Sequence, residues 1–129
     1  MATYLLDTNI IIDALNARKN RNLALVDLAE QGHTLACCCV NVAEVYAGLR
    51  PKEEKRTSEL LGSLEYYPAS FPVAELAGRL RRDFGRTGKT LSIPDTMIAA
   101  VALYYRLALI TDNSRDFPMP DLVFHWLPE

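Results

Sequence analysis

The sequence has little of what marks secreted, membrane-spanning or broadly nucleic-acid-coating proteins. Its three cysteines, Cys37, Cys38 and Cys39, are consecutive and no other cysteine is present to pair with them, which excludes a disulfide framework and fits a reducing compartment. Neighbouring residues on a strand point to opposite faces, so three in a row do not readily close on one zinc ion and are expected to be packing residues. Positive charge is not in excess: 14 Lys and Arg stand against 16 Asp and Glu, a formal net charge of -2. Holding nucleic acid by counterion release takes many basic contacts, so any such binding must be local. The longest nearly apolar stretch, Met97 to Ile110, is interrupted by Arg106 and is too short to span a bilayer. No basic region precedes the first apolar residues, and Asp7 breaks what would have to be a signal-peptide core. A cytoplasmic protein without membrane contact is expected. There is no internal repeat and no low-complexity linker.

What is present is ordinary globular material. The chain has 129 residues, 50% hydrophobic and 23% charged, which suits one domain over 1–129 and leaves no room for a long disordered tail. Thr3 to Leu6 reads as a strand that ends at Asp7, followed by a helix through Ile10, Ile11, Ala14 and Leu15. Leu23 to Ala29 repeats at helical spacing, stops at Gln31-Gly32, and predicts a second strand from Thr34 to Val40. Asn41 is placed as an N-cap with Glu44 in capping-box position, opening a helix over 42–49. Pro51 opens another helix as far as Leu61, and Gly62 to Ser70 is a loop or third strand. Pro72 starts a helix that Gly85 and Gly88 end, Ser92 and Pro94 open one through Tyr105, and Leu107 to Thr111 is a strand. Val123 to Trp126 is a candidate last edge strand. Strands separated by helices indicate an α/β domain with a mainly parallel sheet, whose sites lie at the carboxyl ends of the strands.

Four acidic positions fall at that edge. Asp7 follows the first strand, the Asp112 to Asp116 turn follows a later one, and Glu44 and Asp95 lie in the first turns of predicted helices. Carboxylates brought together repel and protonate unless a cation neutralises them, so convergence predicts bound metal. Oxygen-only ligands point to Mg²⁺ or Mn²⁺, and neither His33 nor His125 lies near enough to suggest zinc. Hard-metal carboxylate sites serve phosphoryl transfer, with phosphodiester hydrolysis the economical case. The plainer reading of each acid stays open at this stage: Asp7 a helix cap, Glu44 the reciprocal member of its capping box, Asp95 a first-turn acid after Ser92.

The motifs, taken together, are Leu5-Leu6-Asp7-Thr8-Asn9, Asn41-Val42-Ala43-Glu44, Pro94-Asp95-Thr96-Met97-Ile98-Ala99-Ala100 and Leu109-Ile110-Thr111-Asp112-Asn113-Ser114-Arg115-Asp116-Phe117. In order and spacing along essentially the whole chain they resemble the PIN domain, in particular the VapC-type toxins of bacterial toxin-antitoxin systems. The resemblance implies a three-layer α/β/α domain and an RNA endonuclease using Mg²⁺ or Mn²⁺, inhibited by a VapB-type antitoxin and commonly a homodimer. It puts Asp7, Glu44 and Asp95 in the first three acidic positions of the family, with Thr8, Asn9 and Thr111 as supporting hydrogen-bonders. The fourth position departs from the commonest pattern, because Asn113 stands where an aspartate is usual. Asparagine can ligate but brings no charge, so Asp112 or Asp116 is expected to supply the carboxylate, with Asp116 favoured.

Two basic features complete the reading. Gly85-Arg86-Thr87-Gly88-Lys89-Thr90 has the look of a phosphate loop, but a P-loop needs glycine at position 83, which is Asp, and it follows a strand. Arg79, Arg82, Arg86 and Lys89 form the densest positive patch; they are either a solvated helix face or contacts for RNA phosphates or an acidic stretch of antitoxin. Arg115, beside the acidic turn, is the better single candidate for phosphate contact. The competing function is a catalytically weak PIN-like module that binds RNA or protein through the same surface, a reading that Asn113 sustains.

Overall fold

In the computed structural model of the chain, which describes residues 1–129, strand β1 (Thr3–Leu6) is central. The elements follow as α1 (Thr8–Leu15), α2 (Arg21–Glu30), β2 (Thr34–Cys38), α3 (Cys39–Ala47), α4 (Glu54–Gly62), β3 (Glu65–Tyr67), α5 (Phe71–Arg86), α6 (Ile93–Tyr105) and β4 (Ala108–Ile110). Single 3-10 turns cover Pro51–Glu53 and Ser114–Asp116. All strand pairs are parallel, in the order β3-β2-β1-β4.

Side-chain alternation along the strands builds three layers. Leu5, Ala36, Cys38 and Leu109 pack with Val73 and Ala77 of α5 and with Ile98 to Ala102 of α6. Tyr4, Leu6, Cys37 and Ile110 pack with residues of α1, α2, α3 and α4 on the other side. Both sheet faces are therefore buried, as an all-parallel sheet requires. Each fully buried leucine or isoleucine here contributes about 1.5–3 kcal/mol. The two buried thiols are part of this packing, and desolvation pushes Cys38 up to about 11, so it is a neutral core residue.

Two places differ from the sequence reading by more than a residue or two. Strand β2 ends at Cys38, and α3 starts at Cys39 instead of 42. The reason is Asn41: its side-chain oxygen accepts the backbone N–H of Cys38 at 2.8 Å, which turns the chain three residues earlier. Asn41 is therefore inside the helix, and Glu44 is released from the capping box expected of it. The edge strand expected over Val123 to Trp126 is reduced to one bridge, Leu109 with Phe124. Leu109 exchanges both its backbone bonds with Val123 and His125, but β4 is only three residues long and its next residues turn into the site.

The connections place that site. From β1 the chain winds outward to β2 and β3 with its helices on one face, and α5 and α6 then carry it over the other face to β4, on the far side of β1. The winding reverses between the carboxyl ends of β1 and β4, where an open α/β sheet leaves a crevice. No helix is long and apolar enough to cross a membrane.

Candidate active site

Asp7 lies at this reversal, one residue beyond β1, with its N–H donating to the Ile110 carbonyl of β4 at 2.9 Å. A cleft of about 200 Å³ opens there, lined by Asp7, Thr8, Asn9, Ile12, Glu44, Asp95, Asn113 and Asp116. The four acidic side chains come from four separate segments: the end of β1, the middle of α3, the first turn of α6 and the turn after β4. Asn9 and Asn113 lie at the exposed rim.

Two hydrogen-bond relays fix the inner carboxylates. In one, Asn113 N–H donates to Thr111 Oγ1 at 2.9 Å and the Thr111 hydroxyl donates to Asp7 Oδ2 at 2.7 Å, while Thr8 N–H donates to Asp7 Oδ1 at 2.8 Å. In the other, Asn41, fully buried, receives Cys38 N–H and donates through Nδ2 to Thr8 Oγ1 at 3.0 Å. The Thr8 hydroxyl then donates to Glu44 Oε1 at 2.7 Å. Each carboxylate oxygen has two acceptor sites, so Asp7 keeps one on each oxygen and Glu44 keeps the whole of Oε2. Asp95 is set by the N-cap of α6, where Ser92 Oγ accepts the Asp95 N–H at 3.2 Å.

The electrostatics are one-sided. None of Asp7, Glu44, Asp95 and Asp116 is ion-paired with lysine or arginine. Burial raises the Asp7 carboxyl above the ordinary carboxylate range against the opposing hydrogen bonds from Thr111 and Thr8, and the charges of Asp95 and Glu44 raise it further. Asp95 is raised as well, first by burial and then by Asp116 and Glu44, with Ser92 opposing. The four acids line one cleft without closing into a ready three-ligand cluster. An all-oxygen, net-negative donor set with open lone pairs suits a hard divalent cation.

Asp112, one of the two residues expected to supply the fourth carboxylate, is outside this cleft. Its carboxylate is held by Arg21, with Nη2 to Oδ1 at 2.7 Å and Nε to Oδ2 at 3.3 Å, and Lys19 Nζ lies 3.9 Å from Oδ2. A carboxylate so neutralised has little charge left for a metal, and Asp116 is the acid of the turn that faces the cleft. Arg115 is exposed beside Asp116 and makes no ion pair. On α5, Arg79 is tied to Glu75 at 3.0 Å and Arg82 to Asp83 at 3.1 Å. Arg82 also lines a separate shallow groove with Arg81 and Ile93, two residues before Asp95. Arg86 and Lys89 are exposed outside both. Both histidines pack against Tyr4, His125 stacked with ring centroids 4.4 Å apart and His33 tilted at 5.1 Å.

Sequence reasoning missed two residues. Asn41 carries the relay to Glu44, and the signal was present, since it opens the motif that ends at Glu44. Arg21 is 4% exposed yet stands in the basic run Arg18-Lys19-Asn20-Arg21, where nothing distinguishes it from a solvated cation.

Comparison with known proteins accords with this geometry. The profile of the PIN domain family matches residues 4–120. The chain is 32% identical over 115 residues to Ribonuclease VapC10 of Mycobacterium tuberculosis, covering 89% of this chain and 86% of that one. Among solved structures it is similar to VapBC2 from Rickettsia felis bound to a DNA fragment from their promoter, with a TM-score of 0.82 at 27% identity over 98% of this chain and 99% of that one. A toxin-antitoxin complex from Klebsiella pneumoniae gives a TM-score of 0.76 at 30% identity over 95% of this chain and 96% of its counterpart. The protein therefore belongs to the PIN-domain family, and within it to the VapC-type ribonucleases.

Proposed function

We propose that the chain is a metal-dependent endoribonuclease, the toxin of a VapC-type toxin-antitoxin pair, with its active site in the cleft of Asp7, Glu44, Asp95 and Asp116. The observation that carries this reading is a set of four carboxylates at the sheet's switch point with no lysine or arginine to neutralise them. Asp7, Glu44, Asp95 and Asp116 would hold Mg²⁺ or Mn²⁺. Bound there, such an ion supplies an acidified water and neutralises charge on the scissile phosphate.

The protein's own part is orientation. Thr111 and Thr8 point the free lone pairs of Asp7 into the cleft, and Asn41 acts through Thr8 on Glu44. Asn9 and Asn113 offer neutral polar contacts at the rim. Arg115 is placed to meet an RNA phosphate, with Arg82 further along and Arg79 and Arg86 as outer contacts of the α5 surface. RNA is the substrate, a VapB-type antitoxin the partner, and a homodimer the working state. The antitoxin assignment draws on the relatives, one of which was solved as a toxin-antitoxin complex.

The test is cleavage of a panel of cellular RNAs by protein freed of any copurifying partner, with Mg²⁺ or Mn²⁺, with EDTA, and with Asp95→Asn. Cleavage confined to the metal-loaded native protein is expected. Intact RNA under every condition would favour the competing reading of a binding module, and Asn113→Asp would then show whether the neutral rim residue is responsible.

A further inference from the structure

The turn that carries Asn113 and Asp116 is hydrogen-bonded from outside by one side chain, Arg21, with Lys19 as a longer ion pair at 3.9 Å. Within residues 112–116 the backbone bonds are local: Asn113 N–H to Thr111 Oγ1, and Asp116 N–H to the Asn113 carbonyl. The hydrogen bonds that reach another part of the chain are the two from Arg21 to the Asp112 carboxylate, at 2.7 and 3.3 Å. The third arm of the same guanidinium, Nη1, donates to the Pro128 carbonyl at 2.8 Å. Its side chain is 5% exposed, so it does not reach RNA, and all three of its donating nitrogens are used within the fold.

A second observation points the same way. The link from α1 to α2 takes the left-handed backbone at Ala17, Lys19 and Asn20, with φ of 52°, 53° and 56°, a conformation that side chains other than glycine rarely adopt. This strained path delivers Lys19 and Arg21 onto one carboxylate, and strain of this kind gathers where function over-determines the backbone.

We propose that Arg21 is a positioning residue: by clamping Asp112 it fixes the 112–116 turn so that Asn113 and Asp116 stay in the carboxylate cleft. The proposal rests on the reading of that cleft as the metal site. Lysine cannot replace the fork, since one ammonium does not serve both carboxylate oxygens and the Pro128 carbonyl in the planar geometry of arginine.

The experiment compares native protein with Arg21→Lys in Mn²⁺ titration calorimetry without RNA, in kcat and KM for RNA cleavage, and in amide hydrogen exchange, each also in an Asp116→Asn background. Arg21→Lys is expected to lower Mn²⁺ affinity about 10–100-fold. It should reduce kcat with KM unchanged, speed exchange at Asn113 and Asp116, and add nothing to Asp116→Asn. Should Arg21→Lys not fold, Asp112→Asn, at a side chain 26% exposed, gives the same reading from the other end of the pair. A lowered Tm with native Mn²⁺ affinity and native exchange at those amides overturns the proposal, as does a loss that adds to that of Asp116→Asn. If the native protein itself binds no Mn²⁺, the metal reading of the cleft falls, and the exchange rates alone decide whether Arg21 fixes the turn.

Discussion

At the level of single residues, the cleft is organised by side chains that hydrogen-bond more than one neighbour. Asn41 is the clearest case, because its amide serves the backbone of Cys38 on one side and Thr8 on the other with no exposure to solvent. An unsatisfied buried group costs about 1–3 kcal/mol, and Asn41→Ala leaves the buried Cys38 N–H without an acceptor and takes from Thr8 Oγ1 the donor it accepts. It should also lower Mn²⁺ affinity about 10–100-fold through the freed Thr8; urea unfolding and Mn²⁺ titration read the two effects separately. Asp7→Asn keeps the acceptor for Thr8 N–H and the side-chain shape, so the fold should survive while metal-dependent cleavage is lost. Retained cleavage in that variant would remove Asp7 from the site. Both Asp7 and Asp95 titrate above the ordinary carboxylate range, so Mn²⁺ binding should fail on acidification sooner than for ordinary carboxylates, and raising Mn²⁺ should move the failure to lower pH.

Elements set how far the sequence could be read. The order of strands and helices and the placement of acids at strand ends followed from apolar periodicity and helix caps, because those signals are local. The start of α3 was not legible: Asn41 suits an N-cap, and its actual partner, Cys38 N–H, exists only once β2 has stopped. Asp116 was favoured over Asp112 from the sequence, but local pattern gave little to separate them, since both follow β4 by a few residues. They were separated by a cation from α2, 91 positions away in sequence, which no local pattern reports. Helix α6 shows what can be tested here. Ser92→Ala removes its N-cap bond to Asp95 and should cost about 1 kcal/mol. Ile98→Ala, in the layer between α6 and the sheet, should cost about 2–5 kcal/mol without touching a cleft residue. Equilibrium denaturation checks both.

Across the whole molecule, the site trades stability for charge. A carboxyl raised in the folded state binds its proton more tightly there than in the unfolded chain, so Asp7 and Asp95 favour folding at low pH. That contribution is lost as pH rises from the ordinary aspartate value, about 3.9, through the raised one. In metal-free protein, Asp95→Asn should therefore gain stability relative to native protein as pH rises across that window. Mn²⁺ at about a hundredfold excess over its Kd should stabilise the native chain by about 2.7 kcal/mol and the variant by much less. Thermal melts against pH, with and without Mn²⁺, distinguish this from a generic salt effect, because Arg21, Asp112 and the surface pairs are present in both proteins. The most direct measurement is the anomalous diffraction of Mn²⁺ in crystals of native protein and of Asp7→Asn. A peak is expected in the cleft within ligand distance of Asp7, Glu44, Asp95 or Asp116, and it should disappear in the variant; a native cleft without a peak at saturating Mn²⁺, or a peak unaffected by the variant, would remove the metal from this site.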